Sequence, residues 1–531
     1  MILCPACNFF QFFFVLLQAP FGKVYLSMNT ETRYWTMKEG FLIGGGLILA
    51  GLMLQLSVGP VVWDAFAWPV NGIVMAVFLA IIAGVFLLRN KSQVFRFIGT
   101  YHAAVPALVY TVLLTVVMGL TRQQTDGTWL SNMLTFWPFV LVYVYIALIL
   151  GVTTLKQMMN LCLSLSTFHH PLGSAASLVE EPSTLHHPPS TLHKVPSILL
   201  HFGLFLAMTC ATLGNADMQR LKMMTMIGVP ESRAMAQDGL VHMLPMSIEL
   251  KQFIFETYDD GSPKRFASEL LITPHNSSHA SDLTPLTSTV DVNNPVEVEG
   301  WKIYQYSYDT QMGAKSQLSI LELVRDPWLP LVYAGIYMML AGAACMLMIR
   351  IRWKFAILLA VAFVVVFLLW PHMHSDTPMP ALQSPWFAPH VIVYMFAYSF
   401  FGIVTLMAIY FLSPFSHLTP HTSHLSNLTS PLTTLDTFVY AGLALMTVGM
   451  LFGALWAKEA WGHYWSWDPK ETWAAITWFA YLIYIHYRRL PKQQPRLVLW
   501  LLIVSFVLLQ MCWWGINYLP SAQGASVHTY N

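Results

Sequence analysis

Eleven apolar runs constrain what this chain can fold into. They lie at about 41–59, 67–88, 103–120, 134–155, 197–214, 328–349, 355–370, 390–412, 437–456, 473–487 and 497–515. A helix needs roughly 20 predominantly apolar residues to cross a bilayer, so the longer runs suffice and the shorter ones are marginal. The 531 residues are 56% hydrophobic and only 10% charged, with a formal net charge of +1. Such a balance excludes a nucleic-acid binder driven by basic charge and predicts a polytopic membrane protein. The six cysteines are scattered and outline no disulfide framework.

Charge between the runs is lopsided. Arg89, Lys91 and Arg96 fall in one short loop, Arg350, Arg352 and Lys354 in a second, and Arg488, Arg489, Lys492 and Arg496 in a third. The opposite loops offer only Arg122, Lys458 and Lys470. The excess of Lys and Arg on cytoplasmic loops places all three basic loops inside, and eleven alternating crossings satisfy them together. Residues 215–327 then lie outside as the one sizeable soluble segment. Apolar and polar residues alternate there in Trp301-Lys-Ile-Tyr-Gln-Tyr-Ser-Tyr308, the pattern of a half-buried strand. The fold class predicted is an all-α polytopic membrane protein of about eleven transmembrane helices with one small β-rich external domain.

Residues 1–36 read as an N-terminal extension, with the protein proper beginning near Met37. Cys4-Pro-Ala-Cys7 has thioredoxin-like spacing without a βαβ context. Asn8 stands where a c-type haem attachment motif needs His, so the chain is not expected to be a cytochrome c itself. Three stretches, 166–193, 274–291 and 415–435, are rich in Ser, Thr, Pro and His. They read as low-complexity insertions forming mobile loops, and no chemistry is assigned to them.

One stretch stands apart: Trp461-Gly-His-Tyr-Trp465-Ser-Trp467-Asp468-Pro-Lys-Glu471-Thr-Trp473. Asp468 suits an N-cap, Pro469 the first helical position and Glu471 the acidic place in a capping box. Tryptophan also collects at membrane interfaces. Neither preference requires four tryptophans within thirteen residues. The stretch resembles the tryptophan-rich WWD signature of haem-handling proteins of cytochrome c assembly, and its Asp-Pro-Lys-Glu-Thr-Trp ending resembles the CcsA (ResC) branch of System II cytochrome c synthases. Asn294-Pro295-Val, Gly300-Trp-Lys-Ile-Tyr304-Gln305 and Arg325-Asp326-Pro327 are similar to the ResB (CcsB) family. That family is the usual partner of the CcsA type and occurs fused to it.

The resemblance implies a division into an N-terminal membrane bundle over 37–214, ResB-like at its end, and an external ResB-like domain over 215–327. Membrane helices over 328–384 then join the halves, and a CcsA-like haem-handling domain covers 385–531, with its tryptophan stretch at 461–473. It further implies a cytochrome c haem lyase that moves haem b across the membrane and attaches it by thioether bonds to the Cys-x-x-Cys-His of apocytochrome c. Trp461, Trp465, Trp467, Asp468 and Trp473 would form the haem platform. His390 and His528 share the external face with that platform and match the positions of the family's external axial ligands, with His372, His374 and His463 as rivals. His486, just before Arg488-Arg489, and His201, a few residues inside a span, would form an inner haem site, with His102 as runner-up. An ionisable residue inside a span is a functional candidate by default. A haem exporter, or a membrane electron-transfer cytochrome with two bis-His haems, would use the same histidines without bond formation. The expected setting is the bacterial cytoplasmic membrane, with the soluble domain and C-terminus outside. Expected partners are the lipid bilayer, apocytochrome c, haem and thiol-reducing proteins, with no nucleic acid.

Overall fold

The computed structural model describes residues 35–124, 129–166, 194–275, 284–350, 377–413 and 429–522. Ten long helices form the bundle: α1 Met37–Ser57, α2 Val70–Leu88, α3 Tyr101–Leu120, α4 Trp137–Ser166, α5 Val195–Gly214, α6 Leu329–Arg350, α7 Phe387–Leu412, α8 Thr429–Trp461, α9 Pro469–Tyr487 and α10 Pro495–Trp513. Among the described residues, nine of them are long and apolar enough to cross a membrane. The exception, α9, carries Trp, Tyr, Thr and His in place of aliphatic residues, and eleven of its residues, from Thr472 to Tyr487, are buried. A helix wrapped by protein need not present an aliphatic face to lipid. The run at 355–370 lies outside the described residues, as do residues 1–34 of the N-terminal extension, with Cys4 and Cys7, and His372, His374 and His528.

Helix ends depart from the apolar runs where strong helix formers continue past the hydrocarbon-like segment. Helix α4 extends through Lys156 and Gln157 to Ser166, and α8 spans 33 residues, ending with Ala457-Lys458-Glu459-Ala460-Trp461. Two of the expected loops are partly regular structure. Leu286–Asp291 forms a strand paired with its neighbour over six residue pairs, and α8 already begins at Thr429. Composition hid the strand, because Thr and Ser on a sheet edge read like low complexity.

The soluble segment is an eight-stranded antiparallel sheet. Its strands are β1 Gln219–Met226, β2 Pro230–Ala236, β3 Val241–Thr257, β4 Pro263–Pro274, β5 Leu286–Asp291, β6 Val296–Val298, β7 Trp301–Tyr308 and β8 Leu318–Arg325, in the order β5-β4-β3-β2-β1-β8-β7-β6. Inward residues such as Met246, Ile248, Leu270, Ile303 and Leu323 fill its core. Ser268 Oγ of β4 lies 2.6 Å from Gln305 Oε1 of β7 and 2.7 Å from Ser319 Oγ of β8. Strands so distant in sheet order can touch only if the sheet curls over on itself, as the right-handed twist of strands favours.

The first and last strands pair directly, Gln219 opposite Arg325, so the chain enters the sheet from α5 and leaves it into α6 at one place. Those two helices then run side by side with their backbones in close approach. A Cβ on Gly203 would fall 2.7 Å from the carbonyl oxygen of Gly335, and one on Gly335 would fall 2.7 Å from Ala207 N. Small residues at such crossings are how membrane helices gain packing without a hydrophobic drive between them.

Beside that junction the sheet meets the tryptophan stretch. Lys458, near the end of α8, lies 3.6 Å from Asp326, the residue just after β8, with the two side chains only 2% and 5% exposed. Lys458 Nζ also donates to the carbonyl of Gly462 at 3.0 Å. Gly462 itself turns with φ +74° and packs so tightly that a Cβ would sit 3.0 Å from Val324 and 3.1 Å from Tyr304. The sheet also grips the segment that leads into α7. Tyr258 Oη donates to Pro378 O at 3.1 Å, Asn293 Nδ2 to Pro380 O at 2.7 Å and Gln383 Nε2 to Lys264 O at 2.8 Å.

Removing one member of a buried ion pair leaves the other charge uncompensated, at a cost of about 3–5 kcal/mol. Lys458→Met should therefore lower the thermal stability of the detergent-solubilised protein, read by the temperature at which its monodisperse chromatographic peak is lost. Adding Asp326→Leu should recover most of the loss, though not all, since the Gly462 carbonyl still lacks its donor. No recovery in the double variant would mean that Lys458 acts only through Gly462.

Candidate functional site

At the end of the bundle nearest the sheet, the tryptophan stretch is a short loop between α8 and α9 closed by a capping box. Asp468 Oδ1 accepts from Lys470 N at 2.7 Å, while Glu471 Oε2 accepts from Asp468 N at 3.2 Å and from Ser466 N at 2.8 Å. Trp467 between them has φ +59°. A bulky residue in the left-handed region is strained, and such outliers cluster at ligand-clamping positions. Thr472 Oγ1 donates to the Trp467 carbonyl at 3.0 Å and helps hold it there.

The rings of this loop differ in how they are presented. Trp461, Trp465 and Trp467 are half-buried. Trp465 and Trp467 meet at 84° with centroids 5.8 Å apart, and Trp467 rests edge-on against Phe139 of α4 at 6.2 Å. Trp465 Nε1 is buried without a hydrogen-bond partner. Trp473 departs from the expectation of an open face. It is 2% exposed, packed with Ile476, Cys512 and Ile516 and pressed against Gly119 of α3. Its place one turn into α9 points it at the neighbouring helices, so it wedges the cap in position rather than offering a surface.

His390, in the first turn of α7, lies next to α8. Its Nδ1 lies 2.7 Å from the carbonyl of Gly449. A carbonyl can only accept, so Nδ1 carries the proton and Nε2 keeps its lone pair. The ring lies close over Gly453, with Tyr394 at 4.8 Å and Trp456 at 5.9 Å. Trp456 in turn touches Trp461 at 5.0 Å and donates Nε1 to Ala381 O at 2.8 Å. Trp456 thus joins His390 to the tryptophan stretch. Sequence reasoning passed over it because it sits inside an apolar run, where a tryptophan reads as core. His463 lies beside Trp461 at 6.4 Å. His528 falls outside the described residues, six positions after Ala522, which is buried among Trp473, Cys512 and Ile516.

At the other end, His201 of α5 and His486 of α9 face one another with ring centroids 6.4 Å apart and planes at 71°. Each points Nδ1 at the carbonyl four residues back in its own helix, His201 at Ser197 O (2.6 Å) and His486 at Leu482 O (2.8 Å). Both Nε2 atoms are left as lone-pair donors. Metal–imidazole bonds of about 2.0–2.1 Å, plus roughly 1 Å from nitrogen to ring centre on each side, put two imidazoles about 6 Å apart across one metal. Both histidines line a cavity of about 940 Å³, near the upper end of the roughly 300–1,000 Å³ typical of small-molecule and cofactor pockets. His102 does not line it, although its neighbour Tyr101 does. The carbonyl of His102 instead packs at Gly40 of α1.

Among the described residues there is no group of three or more His, Cys, Asp and Glu able to hold a metal ion. The facing pair of imidazoles suits a metal whose other ligands travel with it, as the four pyrrole nitrogens do in haem. The donor set, the spacing and the large apolar cavity fit such a group. Asp468 and His486 are eighteen residues apart on and beside α9, about 27 Å of helix, so the two ends are separate sites.

Comparison with known proteins gives two family matches on the one chain. Residues 190–321 match the ResB-like family and residues 328–522 match the cytochrome C assembly protein family. His201 lies in the first match and His486 in the second. The second also begins well before residue 385, taking in α6. Among relatives, the cytochrome c biogenesis protein CcsA of Chlamydomonas reinhardtii is 38% identical over 164 residues, covering 30% of this chain and 44% of the relative. CcsA of Guillardia theta is 37% identical over 180 residues, with 30% and 58% covered. CcsA of Prochlorococcus marinus (strain AS9601) is 36% identical over 197 residues, with 33% and 62% covered. The chain thus spans 44–62% of the length of these relatives. A ResB-like half and a cytochrome c assembly half, with its CcsA likeness, stand on one polypeptide, and the protein is a fused ResB–CcsA chain of the System II kind.

Proposed function

We propose that this chain is a cytochrome c haem lyase. It takes up haem b in the cavity between His201 and His486, passes it across the membrane, and presents it at the outer end to the Cys-x-x-Cys-His of apocytochrome c. The observation that carries this reading is the facing pair of histidines, each locked in the ligating tautomer, at the end of α9 opposite the tryptophan loop. The basic loops support a setting in a bacterial cytoplasmic membrane with the His201–His486 end facing the cytoplasm and the sheet outside.

At the outer end His390 supplies one axial nitrogen and His528 the other. Trp461, Trp465 and Trp467 offer flat apolar faces for a porphyrin, while Trp473 and the Asp468–Glu471 box fix the loop that carries them. Bond formation is an addition. Each substrate thiol adds across one vinyl group, a C–S bond forming as the proton passes to the other vinyl carbon, so that no external oxidant is consumed. Thiolate is the nucleophilic form of cysteine, and this chain contributes mainly by holding the reacting groups in register.

Co-expression with an apocytochrome c tests the assignment, since only a lyase leaves covalent haem on the partner. Haem exported but never attached would reduce the protein to a transporter. His390→Ala and His528→Ala should each abolish holocytochrome formation while the protein still inserts, with added imidazole restoring part of the activity. Normal maturation in the double variant would remove the outer pair from the mechanism. His201→Ala or His486→Ala should strip haem that co-purifies with the protein, at both ends, whereas His102→Ala should leave it in place.

The tryptophan loop gives a separate prediction. An interfacial belt tolerates Phe for Trp, and Asn caps a helix as well as Asp. Trp465→Phe, Trp467→Phe and Asp468→Asn should therefore preserve expression yet lower thioether formation on the order of 100-fold, the scale of a small misplacement of reacting groups. Full activity in all three would make the loop a membrane anchor.

A further inference from the structure

The inner cavity is more than a pair of histidines, for its lining is charged in one sense only. Lys156 of α4, Lys194 at the start of α5 and Arg489 just past α9 all line it, and no Asp or Glu does. Among the described residues none of the three is in a salt bridge. Lys156 Nζ reaches only the carbonyl of Gly99 at 3.3 Å, and Arg489 only the hydroxyl of Tyr440, at 3.0 Å from Nη2. The neighbouring Arg488 shows the contrast. It is engaged by Asp436 through Nε at 2.8 Å and Nη2 at 2.5 Å, and it is absent from the cavity lining.

The rule that basic residues gather on the cytoplasmic side accounts for the sign of these charges. Lys156 and Arg489 are exposed and Lys194 half-buried, so water reaches them. What the rule does not account for is that all three line one cavity with no acid among the described residues that line it. All three also lie at the same end. Lys194 is seven residues before His201, about 10 Å of helix, and Arg489 is three residues beyond His486, about 4.5 Å.

Resting on the reading that the cavity takes haem, the geometry points to Lys156, Lys194 and Arg489 as a clamp for the two propionate carboxylates. The iron then sits between His201 and His486, and the propionate edge faces the cytoplasmic end. The opposite, vinyl-bearing edge leads into the membrane, so the carbons that will receive the thiols travel foremost. A phosphate of an anionic lipid shares the anionic chemistry that would engage these cations, and esterifying the carboxylates separates the two.

The test titrates the purified full-length protein in detergent with haemin and with haemin dimethyl ester, following the Soret band. In Lys156→Gln/Lys194→Gln/Arg489→Gln, haemin should bind at least about tenfold more weakly, as loss of charge-assisted hydrogen bonds implies. The ester should bind equally to wild type and variant, which also reports that the variant is folded. Arg489→Gln alone should show the same selectivity at smaller size if the triple variant does not insert. Unchanged haemin binding, or equal loss of both ligands, overturns the clamp and leaves lipid phosphate or structure as the cations' role. His486→Ala isolates the underlying reading. If it leaves the haemin spectrum of the otherwise unaltered protein unchanged, the haem site itself fails, whatever the cations do.

Discussion

The buried pair of Lys458 and Asp326 holds the two halves of this molecule in register. A charged side chain at the end of a membrane-length helix ordinarily reaches for water. Here it is 2% exposed and turned toward the residue that closes the last strand of the sheet. From that contact much of the outer end follows. Lys458 fixes the carbonyl of Gly462, Gly462 packs its bare backbone on Tyr304 and Val324, and the tryptophan loop departs from that point. One residue further along α8, Glu459 accepts from Trp386 Nε1 at 2.7 Å, so the lead-in to His390 is tied to the same turn. A buried ion pair is weak evidence for stability, but a good device for fixing register, and register is what a loop carrying ligand-facing rings requires.

The local rules of helix formation and the demands of the site coincide at the start of α9. Asp468 and Glu471 satisfy orphan backbone donors as any capping box would, and nothing in those bonds points to a ligand. The peculiar element is Trp467, whose left-handed backbone no helix cap requires. Strain of that kind, of order 1–3 kcal/mol, persists only where the surroundings over-determine it. Thr472, the cap and the contact with Phe139 together do so.

Much of this architecture was legible in the apolar runs, because a bilayer demands length and hydrophobicity from each crossing helix. All ten runs that fall among the described residues lie on helices. The runs misjudged helix ends at Ser166 and Thr429, since polar helix formers continue a helix without adding hydropathy. The strand at Leu286–Asp291 was hidden by its Ser and Thr content. His201 and His486 could be singled out because an ionisable residue within or at the end of a span is rare, and His390 because it matches a family position. Lys458 and Asp326 could not be paired, for they are 132 residues apart and each alone reads as an ordinary interfacial charge. Trp473 misled for the opposite reason. It sits in the most distinctive stretch of the chain, yet one turn of helix is enough to aim it inward at Gly119.

The inner cavity explains in physical terms why the two halves belong together. His201 and Lys194 come from the ResB-like region, and His486 and Arg489 from the cytochrome c assembly region. Neither region alone encloses the space or supplies two imidazoles. On the function proposed above, a lone imidazole on either half would leave one face of the iron open to solvent or lipid. Packing of α5, with α3 and α4 beside it, against α6, α8 and α9 therefore creates the cavity rather than merely covering it. The sheet adds the second constraint by gripping the turn at Gly462 on the opposite side. Covalent fusion holds the two halves at high effective concentration, so the cavity and the outer loop are completed by the same docking. A shift of one half against the other would part His201 from His486 at one end and Asp326 from Lys458 at the other, so the same docking fixes the geometry of both.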